Sequence, residues 1–265
     1  MGNLQLNRIY FRKWLSSSVG LSLLKADLIE LGDHLKNSVD ENFDYSFDDS
    51  VTDTLIFNFF LKPQNEDNGN QNHLFRIVCS RNSVPSFTII NGDDTFLRPQ
   101  RNPSTGYWSW AIGLTKYGAI LSLPSRSEPS NSTYCNPRSL QCFFTYMRDI
   151  EEDSIRTPAI FLWREDNEIG DTYSIDNSTA YSIFYQNELS EPTIDVLSYR
   201  YFAPCTTLAT VPVLTPICSK TSMFYAPHLY IKETNSAGCY GHIRLEDTYF
   251  LAGCGLCLET GERRE

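Results

Sequence analysis

Between residues 238 and 265 the chain reads GCYGHIRLEDTYFLAGCGLCLETGERRE, and the residue types best able to do chemistry gather there. Cys239 and His242 stand three apart, Cys254 and Cys257 stand three apart, and eleven residues separate the two dyads. Four soft ligands in two such pairs suit one tetrahedral structural zinc ion. The intervening IRLEDTYFLAG reads as a hairpin turning at Glu246-Asp247-Thr248, which would return the second dyad to the first. Gly238, Gly241, Gly253 and Gly255 would permit the tight turns that bring both members of a dyad onto one ion. AGCGLCLE reads equally as a strand, however, and strand residues three apart point to opposite faces roughly 10 Å from each other. Zinc knuckles also usually carry a glycine after the second ligand, where Ile243 and Leu258 stand here. Zinc, buried free thiols and disulfides therefore all stay open. A thioredoxin-like redox pair does not, because it needs a helix starting at the first cysteine to lower its pKa, and LETGERRE cannot supply one.

Other chemistry finds less to stand on. Only His34, His73, His228 and His242 are available as general bases, and no strained G-x-S-x-G elbow presents a nucleophile. His34 falls on the polar side of a helix and His228 at a strand start, positions where a lone histidine is usually structural. Acidic pairs at 48–49, 93–94 and 151–153 arise from composition, since neighbours on a strand point apart. Neither a phosphate-binding loop nor a dinucleotide fingerprint is present, and DNEIGD (166–171) lacks the ligand spacing of a calcium loop. For binding, YWSWAIG is the strongest stretch. Trp108 and Trp110 are two apart, so on a strand both indoles share a face and can stack on a sugar or fill a partner's pocket, or else lie in the core.

The elements that must position these residues are written in hydrophobic spacing. From Ser18 to Asn37, Leu21, Leu24, Leu28, Leu31 and Leu35 step by 3, 4, 3 and 4, one stripe of an amphipathic helix. That stripe suits packing on the protein's own sheet, and as an a/d seam it also suits oligomerisation. Asp27, Glu30, Asp33 and Lys36 are expected on the far side. DENFDYSFDDSVTD then reads as an acidic loop. Strand signals follow at 54–61, 73–79, 86–90, 107–114, 118–123, 142–147 and 159–163, then at 180–185, 194–202, 208–214, 229–232, 242–245 and 249–252. Each is rich in β-branched and aromatic residues and bounded by Gly, Pro, Asn, Asp or Ser. Many strands without interleaved helices predict a mainly β protein: a β-sandwich, jelly roll or Greek-key barrel with one N-terminal amphipathic helix. The expected organisation is an N-terminal segment (1–40) and a β-rich domain (41–265), with a possible subdivision near 124–138.

Totals narrow the partners. The chain has 265 residues, 13% of them aromatic, and a formal net charge of -10 that repels phosphate backbones, so nucleic acid is not an expected partner. VGLSLLKADLIEL (19–31) is the longest candidate span, but Lys25, Asp27 and Glu30 break it short of the roughly 20 apolar residues a bilayer needs. No signal peptide is read, so the sequons at Asn131 and Asn177 are not expected to carry glycans, and eight cysteines are too few for a disulfide scaffold.

With its short helical start, its long run of aromatic-rich strands with Asn/Asp/Ser loops, and the closing APHLYIKETNSAGCYGHIRLEDTYFLAGCGLCLE, the chain resembles a virion structural protein of a tailed bacteriophage. The resemblance implies a non-enzymatic component of a head, neck or tail. It would be made in host cytoplasm and incorporated into the virion, with other virion proteins and copies of itself as partners. The expected alternatives are a module that binds carbohydrate, such as a host surface glycan, or another receptor through Trp108 and Trp110, and a zinc-ribbon-like C-terminal domain.

Overall fold

The computed structural model describes residues 9–61, 73–80, 86–91, 94–95, 107–123, 140–149, 156–165, 178–184, 193–195, 214–218, 224–232, 242–245, 248–252 and 256–261. Strand β1 (Ile9–Ser16) leads directly into helix α1 (Ser17–His34), whose last turn widens into a π turn (Leu35–Val39). Strands β2 (Phe43–Asp48), β3 (Thr54–Leu61), β4 (His73–Ser80), β5 (Ser86–Asn91) and β6 (Asp94–Thr95) make a five-stranded antiparallel meander. Strands β7 (Tyr107–Thr115), β8 (Gly118–Leu123), β9 (Leu140–Asp149), β10 (Arg156–Glu165), β11 (Ser178–Phe184) and β12 (Thr193–Asp195) come next. They are followed by β13 (Leu214–Cys218), β14 (Phe224–Lys232), β15 (His242–Leu245), β16 (Thr248–Ala252) and β17 (Leu256–Glu259). These eleven join β1 in a twelve-stranded sheet that runs β1-β7-β8-β9-β14-β17-β16-β15, with β10, β11 and β12 branching from β9 and β13 from β14.

Alternation builds the first layer. In β3 buried and half-buried positions alternate without a break, and Leu55, Phe57, Phe59 and Leu61 are fully buried. Phe75, Ile77 and Cys79 continue that face on β4. The larger sheet meets it through Phe144, whose ring lies 5.0 Å from Phe59 and 6.1 Å edge-on from Phe75. Helix α1 wedges beside this contact, with Leu24, Leu28, Leu31 and Leu35 fully buried and Leu21 packed against the same cluster. Each buried leucine contributes roughly 1.5–3 kcal/mol relative to exposure. The buried part of the stripe is consumed by the protein's own two sheets.

The larger sheet is buried on both faces. Residues 141–147 of β9 are buried without interruption, because even positions such as Cys142 and Phe144 face the helix layer while Phe143 and Met147 face the other way. That second side is covered by the sheet itself, which curls until β16 and β17 lie over β7 and β8. Gly113 makes this possible, since a Cβ there would collide with the Leu251 side chain. The closure is fastened where the Lys116 N–H donates to the Thr260 carbonyl at 3.2 Å. The fold is thus a helix-wedged β-sandwich with one sheet rolled almost into a barrel.

Two segments differ from the sequence reading. The acidic stretch after the helix is not all loop: residues 43–48 are strand β2, pairing Phe43 with Leu61 and Phe47 with Phe57. Ahead of the helix, β1 pairs with β7 from Ile9↔Gly113 to Ser16↔Tyr107, so the N-terminal segment is part of the large sheet.

Candidate functional site

The two indoles do not form an open platform. Trp110 is 2% exposed, and its indole N–H donates to Asp27 Oδ2 at 2.8 Å. This corrects the expectation that Trp110 stacks on a sugar: its ring is core, on the β7 face that receives the helix. Asp27 is corrected with it, for it is 5% exposed and lies beside the leucine stripe rather than on the far side. The side chain of Trp108 lies outside the described residues; its backbone pairs with Leu15.

Of the four proposed zinc ligands, Cys239 and Cys254 lie outside the described residues. The expected hairpin forms, with Leu245 opposite Thr248. Its register sets His242 opposite Leu251 on β16, and Leu251 opposite Leu258 on β17. A whole strand therefore separates His242 from the strand of Cys257, roughly 10 Å at the usual spacing. Cys257 is buried opposite Tyr230 and Ala252, a small apolar residue in a strand, with Leu256 and Leu258 buried on either side. Among the described residues no three of His, Cys, Asp and Glu gather as a metal site. Cys79 and Cys142 are buried free thiols whose pKa burial pushes up.

What the structure does bring together is a polar rim where β7 turns into β8. Strand β8 leaves β9 after Ala119↔Phe144, and β14 takes its place at Tyr225↔Arg148. The Lys116-Tyr117 turn therefore abuts β14, and the Tyr117 ring lies flat on His228, centroids 3.5 Å apart and 6° from parallel. Tyr146 meets the same imidazole edge-on at 5.6 Å. One step beyond the Leu229↔Leu258 pair, His228 Nδ1 donates to Glu259 Oε2 at 2.8 Å, with both side chains under one-fifth exposed. From the other side, His34 Nε2 donates to the Thr115 carbonyl at 2.7 Å and more weakly to that of Gly118 at 3.3 Å. Two of the four histidines thus grip one two-residue turn, and His34 is not on a solvent-facing side.

The rim continues into a cation-rich patch. The guanidinium of Arg156 stands 4.9 Å over the Tyr146 ring and that of Arg148 stands 5.8 Å from it. Burial raises the Tyr146 pKa and the two arginines pull it back. Tyr230 is raised by burial first, then by Glu259 and Tyr117. Beyond Arg156 opens a pocket of about 520 Å³, walled by the π turn and by Asp40 and Asn42. The π turn exists because the Asp40 N–H reaches back five residues to the Leu35 carbonyl at 2.9 Å. Asp40 Oδ1 then accepts from both the backbone and side-chain N–H of Asn42, each at 2.9 Å, which starts β2. Asp40 is 8% exposed, its Oδ2 has no hydrogen-bond partner, and burial raises its pKa.

Sequence reasoning missed this rim and pocket. The burial of Asp27 did have a signal, because it lies at i+3 from Leu24 and i−4 from Leu31, on the stripe itself. The remainder depends on pairings between distant strands. In comparison with known proteins, the chain matches no family model, no curated protein and no solved structure.

Proposed function

We propose that the chain is a non-enzymatic structural component of a phage particle, in its head, neck or tail, working through contacts with other virion proteins and with copies of itself. The phage setting is supported by the sequence resemblance. The observation that supports an assembly role is the rim where β2 turns into β3. Phe47 and Val51 are exposed there, at 39% and 58%, with Lys25 over the Phe47 ring at 4.2 Å and paired to Asp49. An aromatic and an aliphatic side chain left in water inside a ring of charge have the make-up of a contact patch, apolar at the centre and polar at the rim.

A mass-spectrometric inventory of purified particles tests the setting, and the chain is expected in multiple copies per particle. Light scattering tests the surface. Replacing Phe47 and Val51 together by serine is expected to weaken association with the particle partner or with itself about tenfold, or about 1.4 kcal/mol. A chain absent from particles and monomeric at every concentration overturns the proposal.

A further inference from the structure

We propose that the tip of the β2–β3 hairpin, residues 46–52, is a docking peg for a different protein whose surface offers an apolar recess rimmed by lysine or arginine side chains. This rests on the contact-patch reading of Phe47 and Val51 given above and does not need the phage setting.

Three observations lead to it. The first is where the exposed apolar side chains fall. Among the described residues, Phe47 and Val51 are the large hydrophobics left exposed, and both lie in the one stretch 46–52, every residue of which is exposed. Holding both in water costs free energy that an apolar recess would recover. The second is rigidity. The Ser50 N–H donates to Asp48 Oδ1 at 2.8 Å, and the Thr54 N–H donates to the Val51 carbonyl at 3.1 Å. The Phe47 ring stacks on buried Phe57, centroids 6.2 Å apart and 16° from parallel. Asp53 closes the turn with a left-handed φ of 64°, which aspartate adopts more readily than most residues. A tip fixed before docking loses little entropy on binding.

The third observation is charge, and it selects the partner. SFDDSVTD (46–53) holds three aspartates and neither lysine nor arginine. Lys25 reaches over from the helix to pair with Asp49, which offsets one of these charges and leaves the tip anionic. Hydrogen bonds from Ser50 hold the exposed Asp48 carboxyl below its ordinary pKa, so it is an anion at neutral pH. Cations around an apolar centre complement such a tip. A second copy is the poorer match, because the chain carries a net charge of -10 and two like tips repel.

Titration of the isotope-labelled whole chain with short synthetic peptides tests this. The probe alternates lysine and leucine; one control replaces its leucines with serine and the other replaces its lysines with glutamate. Saturable binding of the lysine–leucine probe is expected, with amide shifts centred on residues 46–53 and both controls weaker by about tenfold or more. Phe47→Ser with Val51→Ser should weaken it about tenfold. Asp48→Asn, which keeps an acceptor for the Ser50 N–H, should weaken it about threefold, and added salt should weaken it further. Melting curves establish that the variants are folded. No saturable binding, shifts confined to another surface, equal binding of the lysine–serine control, or unchanged binding in the double variant would each overturn the proposal. Light scattering separates it from the reading it rests on. Self-association that the double serine variant abolishes would assign the tip to a second copy, which sinks this proposal and leaves the contact patch standing. A double variant that alters neither peptide binding nor any association removes both.

Discussion

Asp27, within helix α1, and Asp40, the extended residue just past its π turn, are both acids more than nine-tenths buried, and they have opposite relations to their surroundings. Asp27 was placed among leucines and given the Trp110 indole N–H, so its carboxylate fixes how the helix sits on β7. Asp40 was given donors for one oxygen and none for the other. A protein can keep the first kind of buried acid for structure alone. The second kind lowers stability, and sites that cost stability are where function is found. The pair shows that burial by itself does not distinguish a structural carboxylate from a functional one; the tally of its hydrogen bonds does.

The largest way to break that contrast is at Trp110. Trp110→Ala removes a buried indole together with the N–H it donates to Asp27, and is expected to lower unfolding free energy by roughly 3–5 kcal/mol in a denaturant titration. In a double-mutant cycle of Trp110→Phe with Asp27→Asn, a coupling of about 1–2 kcal/mol is expected; a coupling near zero would mean that Asp27 is not held by the indole.

Asp40→Asn should move stability the other way. The folded pKa of Asp40 is raised, so the folded state prefers the protonated acid. That preference stabilises fully below the ordinary carboxylate pKa and is lost as pH rises through the folded value. At neutral pH the wild type therefore carries the penalty of a buried charge, and the asparagine, which keeps Oδ1 for Asn42, should be about 1 kcal/mol more stable. Near pH 3 the advantage should vanish. A variant less stable at pH 7 than the wild type would show that Oδ2 is satisfied.

The smallest effect is expected at Tyr45, which braces the same helix from β2 by donating its hydroxyl to Asp33 at 2.6 Å. That bond raises the phenol pKa to about 12. A raised pKa favours the neutral phenol in the folded state, so the contribution is complete below pH about 10 and is lost as pH climbs toward the folded value. Ultraviolet titration should show one tyrosine ionising late, and Tyr45→Phe should abolish that late step while costing only about 0.5 kcal/mol, as for an exposed hydrogen bond.

How much of this was legible follows from what each residue is covered by. Strand β3 was read to the residue, since one face of it is wet and period-two alternation survives. Strand β17 was read only as one of two alternatives for AGCGLCLE, because Leu256, Cys257 and Leu258 are all buried and leave no alternation, and its cysteine equally suggested ligand spacing. In β2, Asp44 and Asp48 disguised a strand whose inward anchor is Phe43. The leucine stripe fixed the helix correctly, and the same stripe contained Asp27. The His228–Glu259 rim and the Asp40–Arg156 pocket were not legible at all, because register between strands remote in sequence creates them.

One last consequence concerns time. The Lys116 amide is satisfied by the Thr260 carbonyl, and Leu251 must settle over Gly113 before the rolled sheet is shut. A ribosome delivers Lys116 long before it delivers Thr260, so β7 and β8 wait with one greasy side uncovered until the final strands arrive. Such distant closures are slow and leave nascent chains prone to clumping. Production of this protein should therefore improve when translation is unhurried or when a holding chaperone shields the half-made sheet.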